Sequence, residues 1–134
     1  MAIQYSDAVE NASLDARETA IGVSPTLEIR TGNAPANCAA SDSGSVLATI
    51  QLPSDWMAAA SARSKAKAGT WSVAASATGT AGHFRIKSGA TCHIQGPCTQ
   101  GTVAVSGELV LVNTNIAATQ VVTINQFTMN GEAA

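Results

Sequence analysis

The sequence predicts a mainly β fold, an antiparallel β-sandwich or jelly roll of about eight strands with one N-terminal α-helix. Apolar residues recur at helical spacing before Gly22, whereas short alternating runs separated by turn residues follow Pro25. β-Branched residues are common in these runs, as is typical of strands. The 134 residues suffice for one domain, or for one domain with an arm. We therefore expect a helix or arm over residues 1–22 and a β-sandwich domain over residues 23–134.

The helix is predicted over residues 5–21. Apolar and small residues recur there every three or four positions: Tyr5, Val9, Ala12, Ala16 and Ala20. Ser6 is a favourable N-cap, and Gly22 stands where a left-handed C-cap residue is favoured. Because alanine buries little area, this stripe has to pack closely on a flat surface, either the chain's own sheet or another subunit. Val9, Ala12 and Ala16 are therefore candidate subunit contacts.

Eight segments after the helix have the composition and alternation of strands. They are residues 26–31, 45–52, 70–74, 83–87, 91–95, 102–105, 108–112 and 121–129. Segments 83–87 and 91–95 are predicted to form a hairpin in which Phe84 and Ile86 pair with Cys92 and Ile94. The small, basic residues 58–69 are predicted to form a loop or lid. Residues 32–44 and 113–120 are predicted connections.

The sequence contains no recognisable catalytic motif. It lacks a nucleophile elbow, a phosphate-binding glycine loop and a zinc-protease helix motif, and its carboxylates are spread over different predicted elements. Cys92 and His93, with His83 and Cys98 nearby, are residue types that bind zinc. Adjacent residues of a strand point to opposite faces, however, which disfavours a shared metal ion. We therefore predict that the protein is not an enzyme and has no metal or cofactor.

The cysteines are too few, and odd in number, for the disulfide framework of a small secreted domain. They are Cys38, Cys92 and Cys98. Two interpretations stay open: a local Cys92–Cys98 disulfide that pins a turn at residues 96–97, or free and buried thiols. The disulfide requires that the protein leave the reducing cytosol.

Charge is scarce in this chain. Charged residues make up 12% of it and the net charge is −2, whereas ordinary soluble domains contain about 25% charged residues. This charge provides no general field for binding nucleic acid. Neither a signal-peptide core nor a membrane-spanning apolar stretch is present. We expect a protein that is made in the cytosol, stays soluble and binds neither nucleic acid nor membrane.

Five of the seven basic residues are close together in the sequence: Arg63, Lys65, Lys67, Arg85 and Lys87. They form either a solvated loop and strand face or one positive face that contacts an acidic partner, such as a neighbouring subunit. The candidate subunit contacts among them are Arg63, Lys65 and Lys67. Trp56 and Trp71 are interpreted as core residues, with a partner contact as the alternative.

Several segments resemble a family of short structural proteins encoded by tailed bacteriophages and prophages. They are YSDAVENASLDARETAIG, LEIRTG, SVLATIQLPSDW, the TAGHFRI and TCHIQG pair, and NTNIAATQVVTINQFTM. The similarity runs nearly end to end and includes the patterns L-x-I-x-T-G, V-L-A-T, G-T-A-x-x-x-R-I and V-x-I-x-x-F-T. The family supplies no catalytic residues, and the GPCTQG segment with Cys98 departs from its pattern.

The resemblance implies a virion component made in the cytoplasm of the bacterial host. We expect a capsid decoration, or cement, protein that binds the major capsid protein or other virion subunits, is itself a homo-oligomer and resembles the jelly-roll cement proteins. The alternative is a tail-tip or tail-fibre module that contacts the host surface. An enzyme is disfavoured by the missing catalytic set, and a carbohydrate-binding domain by the scarcity of aromatic residues.

Overall fold

One helix precedes a β-rich domain in the computed structural model, which describes residues 3–130. Within these residues, helix α1 (Asp7–Ile21) is followed by nine strands that form a curled mixed sheet. The predicted mainly β fold with an N-terminal helix is therefore confirmed. Residues 1–2 of the predicted arm and 131–134 of the predicted sandwich lie outside the described residues.

Helix α1 begins and ends at its predicted capping residues. The Ser6 side chain accepts a hydrogen bond from the Val9 amide at 3.3 Å, which satisfies one of the free donors of the first turn. Gly22 follows the last turn with a φ of +97°, and its amide donates to Glu18 O. Glycine adopts this conformation without the strain that a side chain would cause.

The strands follow in chain order and form one sheet path. They are β1 (Thr26–Thr31), β2 (Val46–Gln51), β3 (Ser64–Ala66), β4 (Ser72–Ala74), β5 (Gly79–Ser88), β6 (Thr91–Gln100), β7 (Leu109–Leu111), β8 (Asn115–Ile116) and β9 (Val121–Asn130). The spatial order is β2-β1-β5-β6-β7-β9-β3, while β4 pairs with β9 and β8 pairs with β5. The described strand pairs are antiparallel except for β6 and β7, which are parallel. The sheet is thus mixed, and not wholly antiparallel as predicted.

Three segments differ from the predicted strand pattern. The predicted loop or lid at 58–69 contains β3, which pairs with β9, and the predicted connection at 113–120 contains β8, which pairs with β5. Residues 102–105 form no strand. Strands of two or three residues are too short to show alternation in the sequence. β3 and β8 are recognised only from their pairing with the longer strands β9 and β5.

The predicted hairpin is present as β5 and β6, which extend well beyond it. Ile86 lies opposite Ile94, which is one of the predicted partners, but Phe84 lies opposite Gly96, so its predicted pairing with Cys92 or Ile94 is wrong. A register shift between Ile86 and Lys87 then places Cys92 opposite Lys87, because a β-bulge adds one residue to one strand. Strand β6 continues through residues 96–97, so the turn predicted there is wrong.

The apolar core lies on one face of the sheet and includes the inner side of α1. Its four large rings are in contact: Trp56 with Trp71 at 6.3 Å between centroids, Trp71 with Phe127 at 5.7 Å, and Phe84 with Phe127 at 5.4 Å. Rings at such distances stabilise a core beyond the area that they bury. Both tryptophans are fully buried, which confirms their interpretation as core residues.

The opposite face of β1 and β5 carries charge. Leu27 and Ile29 of β1 belong to the core, so the alternation of a strand turns Glu28 and Arg30 away from it. On β5, Arg85 lies opposite Glu28 and His83 lies opposite Arg30, so these two side chains share that face. The connection at 32–44, which joins β1 to β2, lies over this charged face. Among the described residues, no helix combines the length and apolarity that a membrane crossing requires.

Candidate functional site

The inner side of α1 is packed into the domain. Leu14 and Ile21 are buried in the core, and Glu10 is buried as well. At 3.6 residues per turn, these three positions point within about 40° of one another. The helix is therefore an integral part of the fold, and no free arm.

Lys65 of β3 lies between two carboxylates of α1. Its Nζ is 2.6 Å from Asp15 Oδ1 and 2.8 Å from Glu18 Oε1, and its side chain is 1% exposed. Burial acts to lower the pKa of Lys65, but hydrogen bonds to both carboxylates outweigh it and raise that pKa. The hydrogen bond from Lys65 in turn lowers the pKa of Asp15. We call Lys65, Asp15 and Glu18 the helix cluster.

Backbone amides of residues 57, 60 and 63 bind the same side of α1. The Ala60 and Met57 amides donate to the two carboxylates of the helix cluster, at 2.9 and 3.4 Å. The Arg63 amide donates to Asn11 Oδ1 at 2.9 Å. The acceptors Asn11, Asp15 and Glu18, at positions i, i+4 and i+7, thus hold the helix along its length, in addition to the buried apolar contacts.

The predicted role of Arg63 and Lys65 as subunit contacts does not fit these positions. Arg63 Nη1 donates to Tyr5 O at 2.8 Å and lies 3.2 Å from Asp7 Oδ1. Lys65 is buried in the helix cluster and presents no surface to a partner, so that part of the prediction is wrong. Both side chains instead bind the chain's own N-terminal helix.

The five neighbouring basic residues do not form one positive face. Lys67 Nζ donates to Gly69 O at 2.9 Å and lies 5.9 Å from the centroid of the Trp71 ring. Arg85 and Lys87 belong to a separate group on the charged face of the sheet. The interpretation as a single acidic-partner surface is therefore wrong, because carboxylates and carbonyls of the same chain already bind these cations.

The stripe predicted from the sequence lies on the opposite side of α1 from this anchor. Val9 is 52% exposed, and Ala12, Ala16 and Ala20 are exposed as well. The chain's own sheet does not cover them, so the first of the two alternatives for the stripe is wrong. We call these four residues the outer helix face.

A cavity of about 480 Å³ opens beside the C-terminal half of α1. Buried Ile21, Phe127 and Met129 supply apolar lining, and exposed Arg17 and His93 also line it. Arg17 makes no ion pair with the described carboxylates. The cavity continues the exposed side of the helix toward the edge of β6.

Three cations of β1 and β5 surround Asp42, a residue of the 32–44 connection. Arg85 Nη1, Lys87 Nζ and Arg30 Nη2 lie 2.5, 2.7 and 3.2 Å from its carboxylate oxygens. Glu28 Oε1 lies 2.9 Å from Arg30 Nε and 3.0 Å from Lys87 Nζ. Hydrogen bonds from Lys87 and then Arg85 lower the pKa of Asp42 to about 2. We call these five residues the sheet cluster.

Arg85 also holds the backbone of the 32–44 connection. Its Nη2 donates to the carbonyls of Asn37, Cys38 and Ala40, each at 3.1 Å, and its Nε donates to Gln95 Oε1 at 3.1 Å. The guanidinium is 2% exposed, and its planar fork of five donors suits several acceptors at once. A single buried side chain therefore supplies three of the hydrogen bonds that hold the backbone of this connection on the sheet.

The cysteines are arranged differently from the prediction. Cys38 and Cys92 lie side by side with their Sγ atoms 2.7 Å apart, and all three thiols are free. The predicted Cys92–Cys98 pair is wrong, because both residues lie on β6. Six residues of strand span about 20 Å, whereas a disulfide needs Cα atoms within about 7 Å. Burial raises the pKa of Cys92 and of Cys98 to about 12.

His83 is buried on the same strand as Arg85. Its Nδ1 lies 2.9 Å from Gly32 O, and its Nε2 has no hydrogen-bond partner among the described residues. In residues 3–130 no three His, Cys, Asp or Glu side chains are grouped so that they could hold a metal ion.

No family model matches this chain, and no curated protein or solved structure is significantly similar to it. The resemblance to phage structural proteins therefore stays a prediction.

Proposed function

We propose that this chain is a non-catalytic structural subunit of a tailed-bacteriophage particle, and specifically a decoration protein that binds the major capsid protein. The observation that carries the proposal is the two-sided character of α1. One side is held by the helix cluster and the core, while Val9, Ala12 and Ala16 on the other side are exposed.

The outer helix face is suited to close packing on a partner. Alanine side chains let a second backbone approach within a short distance, and Val9 adds a branched apolar contact. The cavity that Ile21 and Phe127 line lies next to this face. A partner surface that covers the outer helix face and the cavity would therefore bury apolar area at each. Arg17 beside it offers an ion pair to a carboxylate of the capsid protein.

The rigid attachment of α1 favours binding through it. A helix that is already ordered loses little conformational entropy when it docks, so more of the contact energy appears as affinity. Repetition over a lattice adds to this, since many copies bound to the folded shell stabilise it by mass action. A low content of charged side chains, 12% of the chain, also limits the desolvation cost of a large interface.

The proposal is tested first by location and copy number. Particles of the phage or induced prophage that carries this gene are purified, and the protein is quantified against the major capsid protein by mass spectrometry. We expect hundreds of copies, in fixed ratio to the capsid protein. A handful of copies per particle would assign the protein to the tail, and its absence from particles would overturn the proposal.

The second test asks whether the outer helix face makes the contact. Particles that lack the protein are mixed with purified wild-type chain, with Ala16→Glu or with the matched control Ala118→Glu, whose exposed position lies in the turn before β9. We expect wild type and the control to bind and to restore tolerance to heat, and Ala16→Glu to lose binding at least tenfold. Equal binding of both variants would exclude this face, and unchanged heat tolerance without the protein would exclude a cement role.

A further inference from the structure

We propose that Cys38 and Cys92 form a reversible disulfide that ties the 32–44 connection to β6. This inference concerns the folded chain alone and does not depend on a role in a virion. It replaces the pairing predicted from the sequence with one that the structure places together.

The two sulfur atoms are already in contact. Their Sγ atoms lie 2.7 Å apart, and a disulfide bond is about 2.05 Å long, so closure requires a movement of less than about 1 Å. Cys98, by contrast, lies farther along β6 and packs against the core. Only one pairing of the three thiols is therefore available without unfolding.

The position of Cys38 is fixed by groups other than the thiols. Its carbonyl accepts a hydrogen bond from Arg85 Nη2 at 3.1 Å. The same connection is held by Gln95 Nε2, which donates to Pro35 O at 2.7 Å. Asn37 Oδ1 accepts from the Ala40 amide at 3.0 Å and tightens the turn. The two thiols are thus held close together in the folded, reduced protein, so disulfide formation costs little further conformational entropy.

The position of Cys92 follows from the bulge in the hairpin. Without the register shift after Ile86, Cys92 would lie opposite Ser88; with it, Cys92 lies opposite Lys87 on the charged face. Arg85 and Asp42 of the sheet cluster line the same cavity as Cys38 and Cys92, so the thiol lies beside the sheet cluster. A bulge that turns one side chain toward a covering loop is a recurring use of this irregularity.

The oxidant is a low-molecular-weight disulfide such as oxidised glutathione. One protein thiolate attacks it, so that a mixed disulfide forms and one glutathione thiolate leaves. The second protein thiolate then displaces the other glutathione, which leaves the Cys38–Cys92 bond and two glutathione thiols. The protein loses two electrons, the glutathione disulfide gains two, and the two cysteine protons end on the glutathione thiols.

The exchange is expected to be slow at neutral pH. Burial and the hydrogen bond to Cys38 raise the pKa of the Cys92 thiol to about 12, although Arg85 and Lys87 lower it in part. Thiolates are the reacting species, so the rate should rise with pH. A reducing cytosol would leave the pair open, and oxidising surroundings would close it.

The test uses the full chain, incubated with oxidised or with reduced glutathione. Free thiols are then counted by maleimide labelling in denaturant, and the linked residues are identified by peptide mapping without reduction. We expect the count to fall from three to one, with the Cys38 and Cys92 peptides joined. Because the bond spans 54 positions of sequence, we expect the Tm to rise by about 5–15 °C and to return on reduction.

Variants separate this pair from other products. Cys98→Ser should form the same disulfide and show the same rise in Tm. Cys38→Ser and Cys92→Ser should each gain no intramolecular bond and no Tm rise, while their reduced forms stay folded. Three free thiols after oxidation, glutathione mixed disulfides alone, or a bond to Cys98 in the folded wild type would each overturn the proposal.

Discussion

The helix cluster and the sheet cluster are both buried ion networks, but they have opposite arrangements of charge. In the helix cluster one cation, Lys65, lies between two carboxylates. In the sheet cluster three cations surround Asp42, and Glu28 contacts two of them. The first network thus has an excess of negative charge and the second an excess of positive charge.

The two networks also differ in how much the removal of one charged group should destabilise the fold. The carboxylates of the helix cluster reach solvent, since Asp15 has a side-chain exposure of 48%, so water can solvate them if Lys65 is lost. The cations of the sheet cluster cannot be solvated as readily, because Arg85 and Lys87 are buried. Removal of the buried Arg85 guanidinium therefore leaves one Asp42 oxygen and three backbone carbonyls without this donor, which is costly.

The largest effect is expected from Arg85→Met. The substitution keeps apolar volume but removes the donor to Asp42 and to three carbonyls of the 32–44 connection. We expect the free energy of unfolding to fall by about 3–5 kcal/mol, measured by urea denaturation. Protease cleavage within residues 32–44 should also become faster, because the connection loses its main anchor.

Lys67→Met is the control for this prediction. Lys67 is half-buried and contacts one carbonyl and one ring face, so we expect a loss below about 1 kcal/mol. An equal loss in the two variants would show that general removal of positive charge, and not the sheet cluster, controls stability.

A smaller effect is expected from Lys65→Met. The helix loses its ammonium partner, but Asp15 and Glu18 keep their hydrogen bonds from the Ala60 and Met57 amides. We expect a loss of about 2 kcal/mol, with faster hydrogen exchange in α1 than in β5. If α1 and β5 lost protection equally, the helix cluster would be as integral to the fold as the sheet cluster.

The sequence predicted the helix and most strands because their signals are local. Ser6 and Gly22 mark the ends of α1, and strict alternation marks β1. The buried side of the helix was not identified, because the alanine stripe was more regular than the true inner side of Glu10, Leu14 and Ile21. The helical spacing of positions 10, 14 and 21, with polar residues at the adjacent positions, is the sequence signal that identifies this inner side.

The clusters themselves were beyond sequence reasoning. Asp42 lies in a connection with no pattern of its own, and its partners are on strands 12 to 45 positions away. Cys92 reaches Cys38 only because a bulge shifts the hairpin register, and alternation alone assigned it to the face of Ile86. Contacts of this kind depend on strand pairing, which periodicity does not specify.

Acid should affect the sheet cluster in a defined pH range. The pKa of Asp42 is lowered from 3.8 to about 2, chiefly by hydrogen bonds from Lys87 and Arg85. A carboxyl group whose pKa is lower in the folded than in the unfolded protein stabilises the fold at pH values above its unfolded pKa. This stabilisation is lost as the pH falls, here between about pH 4 and pH 2. Since a third of the Asp42 side chain is exposed, solvent screening reduces this to about 1 kcal/mol.

The measurement is the Tm of wild type and Asp42→Asn across that range. We expect the variant to be less stable at pH 6 and to show a shallower decline between pH 4 and pH 2. The remaining decline includes Asp15, whose pKa is also lowered by its hydrogen bond from Lys65. Asp55→Asn, at an exposed carboxylate without an ion pair among the described residues, should keep the wild-type decline. Parallel curves for Asp42→Asn and wild type would contradict the assignment.

The smallest effect is expected at the outer helix face, where Ala16→Glu should change the free energy of unfolding of the isolated chain by less than about 0.5 kcal/mol. Ala16 is exposed, glutamate is a good helix former, and neither cluster contacts this side of α1. Urea denaturation of the purified protein measures the change, with Leu14→Ala as the buried comparison on the same helix, for which we expect a loss of about 2–5 kcal/mol. A loss of several kcal/mol in Ala16→Glu would mean that the chain itself covers this face, and then its effect on particle binding could not be attributed to a lost contact with the capsid.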